Sequence, residues 1–373
     1  MKLFVTLFAL AFFGVAHGAD PSRFRSPDDG AFDVSGFLDE KYGFLPILVP
    51  ITEPAVGFGG ALGVAFLNQP LGASTPYDRP NVTMIGGLAT ANGTWGAAGG
   101  DLRHWLDGRL QTLVGLVTAS VNLDFYGIGD DAALADHPLR YSLEPTGGML
   151  QAKYRLGGSR FWIGASYAYA STDVAFDVPA SAPDLPGASG NMDVGGITPS
   201  LTFDSRDNMF TPLKGAYVEA SVGVFAPGLG GDDEFQRARI IGMQFFPMPE
   251  RKLYFGYRFE GAATFGDVPF YLRPYISLRG APVLRYQGEE TAQIEAEARW
   301  QFRKRWSAVG FAGFGAAWSD LDGESGSETV PTGGAGFRYE IARKYGIHMG
   351  LDGAIGPDGG AIYVQVGSAW ARP

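Results

Sequence analysis

Hydrophobic and polar residues alternate with a period of two over most of this chain. Across residues 291–302 one face carries Thr291, Gln293, Glu295, Glu297, Arg299 and Gln301, and the other Ala292, Ile294, Ala296, Ala298, Trp300 and Phe302. That is the pattern of a strand with one wet and one apolar face. Similar segments at 43–51, 55–67, 80–90, 94–106, 110–125, 140–156, 160–176, 192–203, 216–225, 235–246, 253–265, 307–318, 332–341, 347–355 and 361–370 bring the expected total to about sixteen strands. In the strand at 110–125 the apolar set Leu113, Val117, Val121, Leu123 and Phe125 is expected to face lipid, and Thr112, Thr118, Ser120, Asn122 and Asp124 water.

The connections alternate in length. Counted from a periplasmic N-terminus, the outward-facing ones include long segments around Asp130, Asp184, Gly230, residues 272–290 and Glu324. Most inward-facing ones are tight, at 106–109, 157–159, 247–250, 303–305 and 344–346, with 68–79 and 204–215 longer. Long loops outside and short turns inside are the asymmetry of a transmembrane β-barrel. The predicted fold is therefore all-β, an antiparallel membrane barrel occupying residues 43–373.

The N-terminus sets the compartment. Lys2, an apolar run over residues 3–15 and Ala16-His17-Gly18 form the pattern of a secretory signal peptide, residues 1–18. Residues 19–42 then read as a short periplasmic leader. No later stretch of eighteen apolar residues occurs, which excludes a helical membrane protein. The chain has 373 residues, no cysteine and a net charge of −10, so there is no disulfide framework. The acidity excludes nucleic acid as a partner. His104, His137 and His348 lack zinc-ligand spacing and no G-x-S-x-G occurs, so neither a metal, a cofactor nor an enzymatic activity is expected.

Two segments carry more information than their neighbours. DSRDNMFTPLKG at 204–215 is dense in turn-formers: Asp204, Arg206, Asp207, Asn208, Pro212 and Gly215. The loop before the strand at 291–302 centres on Leu278-Arg279-Gly280 and is stiffened by Pro274 and Pro282. By residue physics alone this is either a specified loop or an external loop with a solvated arginine.

Together, FDSRDNMFTPLKG and SLRGAP followed by a strand ending EARW resemble the bacterial surface antigen family, the BamA/TamA-type outer-membrane barrels that include two-partner-secretion transporters. The resemblance implies sixteen strands, a sixth extracellular loop folded into the lumen, and a location in the bacterial outer membrane. It makes the chain a short member without POTRA domains. It implies that Arg279 is the loop arginine, Gly280 the residue that lets the tip turn, and Glu297 the acidic partner, with Glu295 a substitute on the same face. The family's aromatic after Arg-Gly is Ala281 here, and its strand-thirteen aspartate position is Gly313. The lock is therefore expected to rest on the strand-twelve carboxylates alone. Tyr363, Gly367 and Trp370 are expected on a terminal strand ending at Trp370.

The function implied is outer-membrane protein assembly or translocation, with outer-membrane lipid, unfolded outer-membrane proteins or a periplasmic partner as its partners. A passive channel or structural barrel is the alternative, and a barrel enzyme a more distant one.

Overall fold

The computed structural model describes residues 24–40, 43–68, 81–127, 138–177, 189–321 and 324–370. The signal segment at 1–18, the loops at Asp130 and Asp184, most of the 68–79 connection and residues 371–373 lie outside the described residues.

Sixteen strands form one antiparallel sheet in simple sequence order. They are β1 (Gly43–Ile51), β2 (Gly59–Leu67), β3 (Val82–Thr90), β4 (Trp95–Trp105), β5 (Leu110–Phe125), β6 (Leu139–Arg155), β7 (Phe161–Phe176) and β8 (Ser189–Asp204) in the first half. The second half holds β9 (Gly215–Phe225), β10 (Phe235–Met248), β11 (Leu253–Gly266), β12 (Glu290–Trp300), β13 (Trp306–Leu321), β14 (Glu324–Ala342), β15 (Ile347–Gly356) and β16 (Gly359–Val366). Each strand pairs with its sequence neighbours, and among the described residues no ladder joins β1 to β16. Within β1, Pro46 and Pro50 lack the N–H a ladder needs.

Outward positions are apolar and exposed: Leu62, Ile85, Leu116, Ile163, Ile240, Ile294 and Phe314 among them. On β13 the outward Trp306 and Trp318 mark the two ends of this belt. At ~3.3 Å per residue and a tilt of ~40° they stand about 30 Å apart along the membrane normal, the spacing of aromatic girdles around an apolar band. The chain is thus an outer-membrane-type β-barrel.

Strand length varies around the wall. Near the open seam β1, β2 and β3 have 9 residues each, β15 has 10 and β16 has 8, whereas β5, β7 and β8 have 16 and β14 has 19.

Two sequence expectations are corrected. The faces of β5 are reversed: Val114, Leu116 and Thr118 point outward, while Leu123 points into the lumen against Tyr141 and Leu143, with Phe270, Tyr271 and Leu284 of the long loop. The polar set at 118–124 lies at the extracellular end of a strand roughly 40 Å tall, above the apolar band, so it needs no lumen to be wet. The last strand ends at Val366, because Gly367 takes a φ of 74° and turns the chain away from the ladder.

At the periplasmic end the N-terminal segment packs on the wall. Residues 24–40, including helix α1 (Ser35–Glu40), lie against the turns after β12 and β14. Arg305 donates to Asp29 Oδ2 at 2.7 Å and to Asp33 Oδ2 at 2.8 Å, and Tyr339 Oη donates to the Phe32 carbonyl at 2.7 Å. Beneath these bonds Val34 and Leu38 pack with Ala342 and Ile347. The guanidinium of Arg305 bonded to Asp29 holds that carboxyl well down, to about 2 from an ordinary 3.8.

Candidate functional site

The loop between β11 and β12 enters the lumen, and its own backbone explains the shape. Tyr275 bridges Gln287, Ile276 N–H donates to the Tyr286 carbonyl at 2.9 Å, and Gly288 N–H donates to that of Pro274 at 3.1 Å. These bonds make a small internal hairpin. Its apolar side, with Ile276, Leu278, Ala281 and Tyr286, packs on Ala317 and Val330 of the wall. The residue after Arg279-Gly280 is thus small because Ala281 sits 4 % exposed in this cluster.

Gly280 occupies a φ of 96°, and a Cβ there would stand 2.8 Å from the Ile355 carbonyl oxygen. Only glycine meets both conditions. Its N–H donates to the Tyr363 hydroxyl on β16 at 3.1 Å. The tip therefore presses directly against the β15–β16 hairpin.

Arg279 lies in the middle of a buried ionic cluster. Its Nε and Nη2 donate to Glu295 Oε1 at 3.0 and 2.6 Å, and its backbone N–H to Glu295 Oε2 at 3.2 Å. Nη1 lies 2.8 Å from Glu297 Oε2 and donates to Asp352 Oδ2, also at 2.8 Å. The guanidinium plane sits 3.6 Å over the Phe311 ring. Asp352, fully buried, is also held by Arg338 at 2.5 and 2.8 Å. Glu295 and Asp352 are hydrogen-bonded to guanidinium groups while Glu297 is held by charge proximity, with Arg258 and Arg299 beside them; such a buried group tolerates poorly the loss of any one member.

Sequence expectation and structure meet here in part. Arg279, Gly280, Glu295 and Glu297 come together, with Glu295 the more extensively bonded of the two glutamates. The expectation that only β12 supplies carboxylates is overturned by Asp352 on β15. Its signal was present: His348, Gly350, Asp352 and Ala354 alternate with Met349, Leu351 and Ile355, placing one acid on an inner face. Flanking the tip, Arg258 donates to the Ser277 carbonyl at 2.6 Å, and Ser277 N–H donates to Gln293 at 2.7 Å.

A second connection was missed entirely. After Gly367 the chain runs into the lumen, and Trp370 packs with Tyr217, Ile241, Met243 and Phe245. Its indole N–H donates to Glu295 Oε1 at 2.6 Å. The carboxylate that holds the loop arginine therefore also holds the chain beyond β16. Of the terminal trio, Tyr363 lies on β16, Gly367 turns the backbone and Trp370 is an inward anchor off the strand.

The loop touches the other edge of the seam as well. Val283 N–H donates to Glu53 Oε1 at 3.2 Å in the β1–β2 turn, while Tyr286 Oη donates to Asp358 at 2.6 Å in the β15–β16 turn.

The 204–215 segment stands apart from the cluster, in the periplasmic turn between β8 and β9. Asp204 caps the Arg206 N–H at 3.0 Å and pairs with its guanidinium at 2.8 Å, and Arg206 lies over Tyr217 at 4.5 Å. Asp207 accepts from Leu213 and Lys214 N–H at 3.0 and 3.2 Å. Asn208 accepts from Phe210 and Thr211 and donates to the Tyr345 carbonyl at 2.8 Å. Pro212 is buried, and Gly215, at a φ of 100°, faces the Ser205 carbonyl. The turn reaches the tail too, since Gly367 N–H donates to the His348 carbonyl at 2.7 Å and Ser368 N–H to that of Phe210 at 2.5 Å. Among the described residues no group of three or more potential metal ligands occurs.

Comparison with protein-family models and with curated proteins finds no match. The fold is similar to BamA from Haemophilus ducreyi in a form lacking POTRA domains 1–3, at 11 % identity and a TM-score of 0.59, covering 88 % of this chain and 70 % of that one. It is similar to CdiB from Escherichia coli at 12 % identity and a TM-score of 0.56, over 89 % of this chain and 61 % of that one. For CdiB from Acinetobacter baumannii the values are 10 %, 0.54, 87 % and 59 %. The chain thus spans about three fifths of the two CdiB chains, and at these identities the likeness is one of fold.

Proposed function

We propose that this chain, an outer-membrane barrel of the BamA and CdiB type, acts in protein assembly or translocation at the bacterial outer membrane, with the seam between β1 and β16 as its working part. The observation that carries this reading is that, among the described residues, no ladder joins β1 to β16. In its place the two edges are tied through the lumen, by the loop to Glu53 on one side and to Tyr363 and Asp358 on the other. Unpaired strand edges offer donors and acceptors to another strand. Side-chain ties can be exchanged for such a strand at lower cost than a full backbone ladder.

In this reading Arg279, Glu295 and Glu297 set the resting state, with Asp352 and Trp370 joined to them. The partners are bilayer lipid and a client polypeptide in extended form.

The absence of cysteine makes the test clean. Leu48→Cys on β1 combined with Val364→Cys on β16, bridged by a bifunctional maleimide, staples the seam. Depletion of the protein should lower other outer-membrane barrels in a quantitative membrane proteome, and the unstapled variant but not the stapled one should restore them. Unchanged barrel levels on depletion would remove the assembly reading.

A further inference from the structure

Charge is divided unequally between the two ends of the barrel. The five periplasmic turns from β4–β5 to β12–β13 carry seven exposed cations: Arg109, Arg160, Lys214, the pair Arg251 and Lys252, and the pair Arg303 and Lys304. Exposed acids in the same turns number three, Asp107, Asp207 and Glu250, and Asp207 is engaged in capping its own turn. Among the described residues none of the seven cations is paired with a carboxylate. The extracellular end is the reverse. Asp124, Asp173, Asp177, Asp232, Glu234 and Asp320 are exposed there, and among the described residues the one exposed cation, Arg140, stands 3.9 Å from Asp124.

We infer that the periplasmic collar binds the headgroups of anionic phospholipids in the inner leaflet of the membrane. The first argument is depth. Trp105, Phe161, Phe246, Trp300 and Trp306 are exposed on the outer wall at the periplasmic ends of their strands. Rings at such positions mark the edge of the hydrocarbon. All the cations except Lys214 lie on the turns immediately beyond these rings. Their charges therefore fall in the headgroup layer, about 5–7 Å thick on each side of the apolar core. The aliphatic stems of Lys and Arg can lie along the apolar edge while the charge stays in that layer.

Arrangement is the second argument. Strands about 4.8 Å apart place successive periplasmic turns about 10 Å apart along the rim, so the cations form a string of separate sites around an arc. Such a string does not converge on one soluble anion, and it follows the curved membrane surface that a shell of lipids occupies. The third is the contrast of sign: acids at the extracellular end repel the same headgroups, so the attraction is confined to one leaflet. The arc also stops short of the seam. In the β14–β15 turn Arg343 already has Asp28, Asp29 and Glu340 within 3.8 to 3.9 Å. Anionic lipid is thus gathered along the wall from β4 to β13, away from the β1 and β16 edges.

Spin-labelled lipids test this on the full chain reconstituted in phosphatidylcholine vesicles. A headgroup beside one cation gains about five-fold in binding, so labelled phosphatidylglycerol should be immobilised by the barrel several-fold more than labelled phosphatidylcholine. At about 1 M salt, where the Debye length is about 3 Å, the preference should fall toward one. Combining Arg251→Gln, Lys252→Gln, Arg303→Gln and Lys304→Gln should cut the preference, whereas Asp232→Asn with Glu234→Gln at the other end should leave it. Phosphatidylglycerol with a photoactivatable headgroup should crosslink to residues 249–252 and 301–305. Equal immobilisation of the two lipids by the wild type at low salt would overturn the inference, and the collar would then be a surface for an acidic protein. So would an undiminished preference in the fourfold variant, or crosslinks confined to the extracellular loops. Heat-dependent gel mobility checks that each variant is a folded barrel, and the salt dependence of the wild type needs no variant. Failure here leaves the seam and its proposed role in assembly untouched, since that is read from the proteome.

Discussion

Replacing Arg279 with alanine is the sharpest test of the lumen cluster. The cluster counts Glu295, Glu297 and Asp352 against Arg279 and Arg338. Without Arg279 the cluster loses one positive charge, and Glu295, only 2 % exposed, keeps as hydrogen-bond donors the Trp370 indole and the backbone N–H of residue 279, neither of them charged. Removing one partner from a buried ion pair costs about 3–5 kcal/mol. The resulting fall in the barrel's gel-shift midpoint is at least about 5 °C for a domain of this size. Loss of the tip also frees the loop, so single-channel conductance rises. Arg279→Lys keeps the charge but not the bidentate geometry or the stacking on Phe311, and should fall between the wild type and alanine. The double variant Arg279→Ala with Glu295→Gln removes the orphaned charge and should recover part of the loss, a coupling that isolates the pair. An unchanged midpoint and conductance in Arg279→Ala would refute the reasoning, as would simple additivity in the double variant.

Two further outcomes follow from the structure. Trp370→Phe keeps the packing on Phe245 but deletes a hydrogen bond to a charged acceptor, about 1.5–3 kcal/mol; proteolysis from the periplasmic side should then reach the tail, and an unchanged digestion rate would sink the proposed anchor. For the N-terminal segment the sign is set by Asp29, whose folded value of about 2 lies below its ordinary 3.8. Its contribution is complete above the ordinary value and lost as pH falls through about 2. A fluorophore on Pro27→Cys should therefore stay immobile from neutral pH to about 4 and loosen on further acidification. Arg305→Gln should loosen it at every pH, and a label that ignores both changes would rule out the Arg305 clamp.

Legibility followed physical contrast. β12 was read to within two residues at each end, and with the correct faces, because its inner wall is charged and its outer wall apolar. β5 was read with correct boundaries and reversed faces, since periodicity reports which residues alternate but not which side is lipid when the lumen itself is apolar. Arg279, Glu295 and Glu297 lie close in sequence, and their meeting needed only the loop to fold back. Asp352 enters from 73 residues away, through a barrel closure that no local pattern encodes. Trp370 was placed on a strand because Ile362, Val364 and Val366 alternate up to Gly367, where a single left-handed residue redirects the chain. The resemblance supplied the loop's inward course, and the residue pattern supplied the strands.

Unequal strand lengths give the barrel a wedge profile. At the tilt used above, the 8 to 9 residues of β16 and β1 reach only about 20–23 Å along the normal, against roughly 40 Å for the 16 of β5. A hydrocarbon layer of about 30 Å meets the tall side without adjustment but must pinch down along the short one. The surrounding lipids are then packed most thinly beside β1 and β16, so the bilayer carries a local defect at one edge of the barrel and not around its whole circumference.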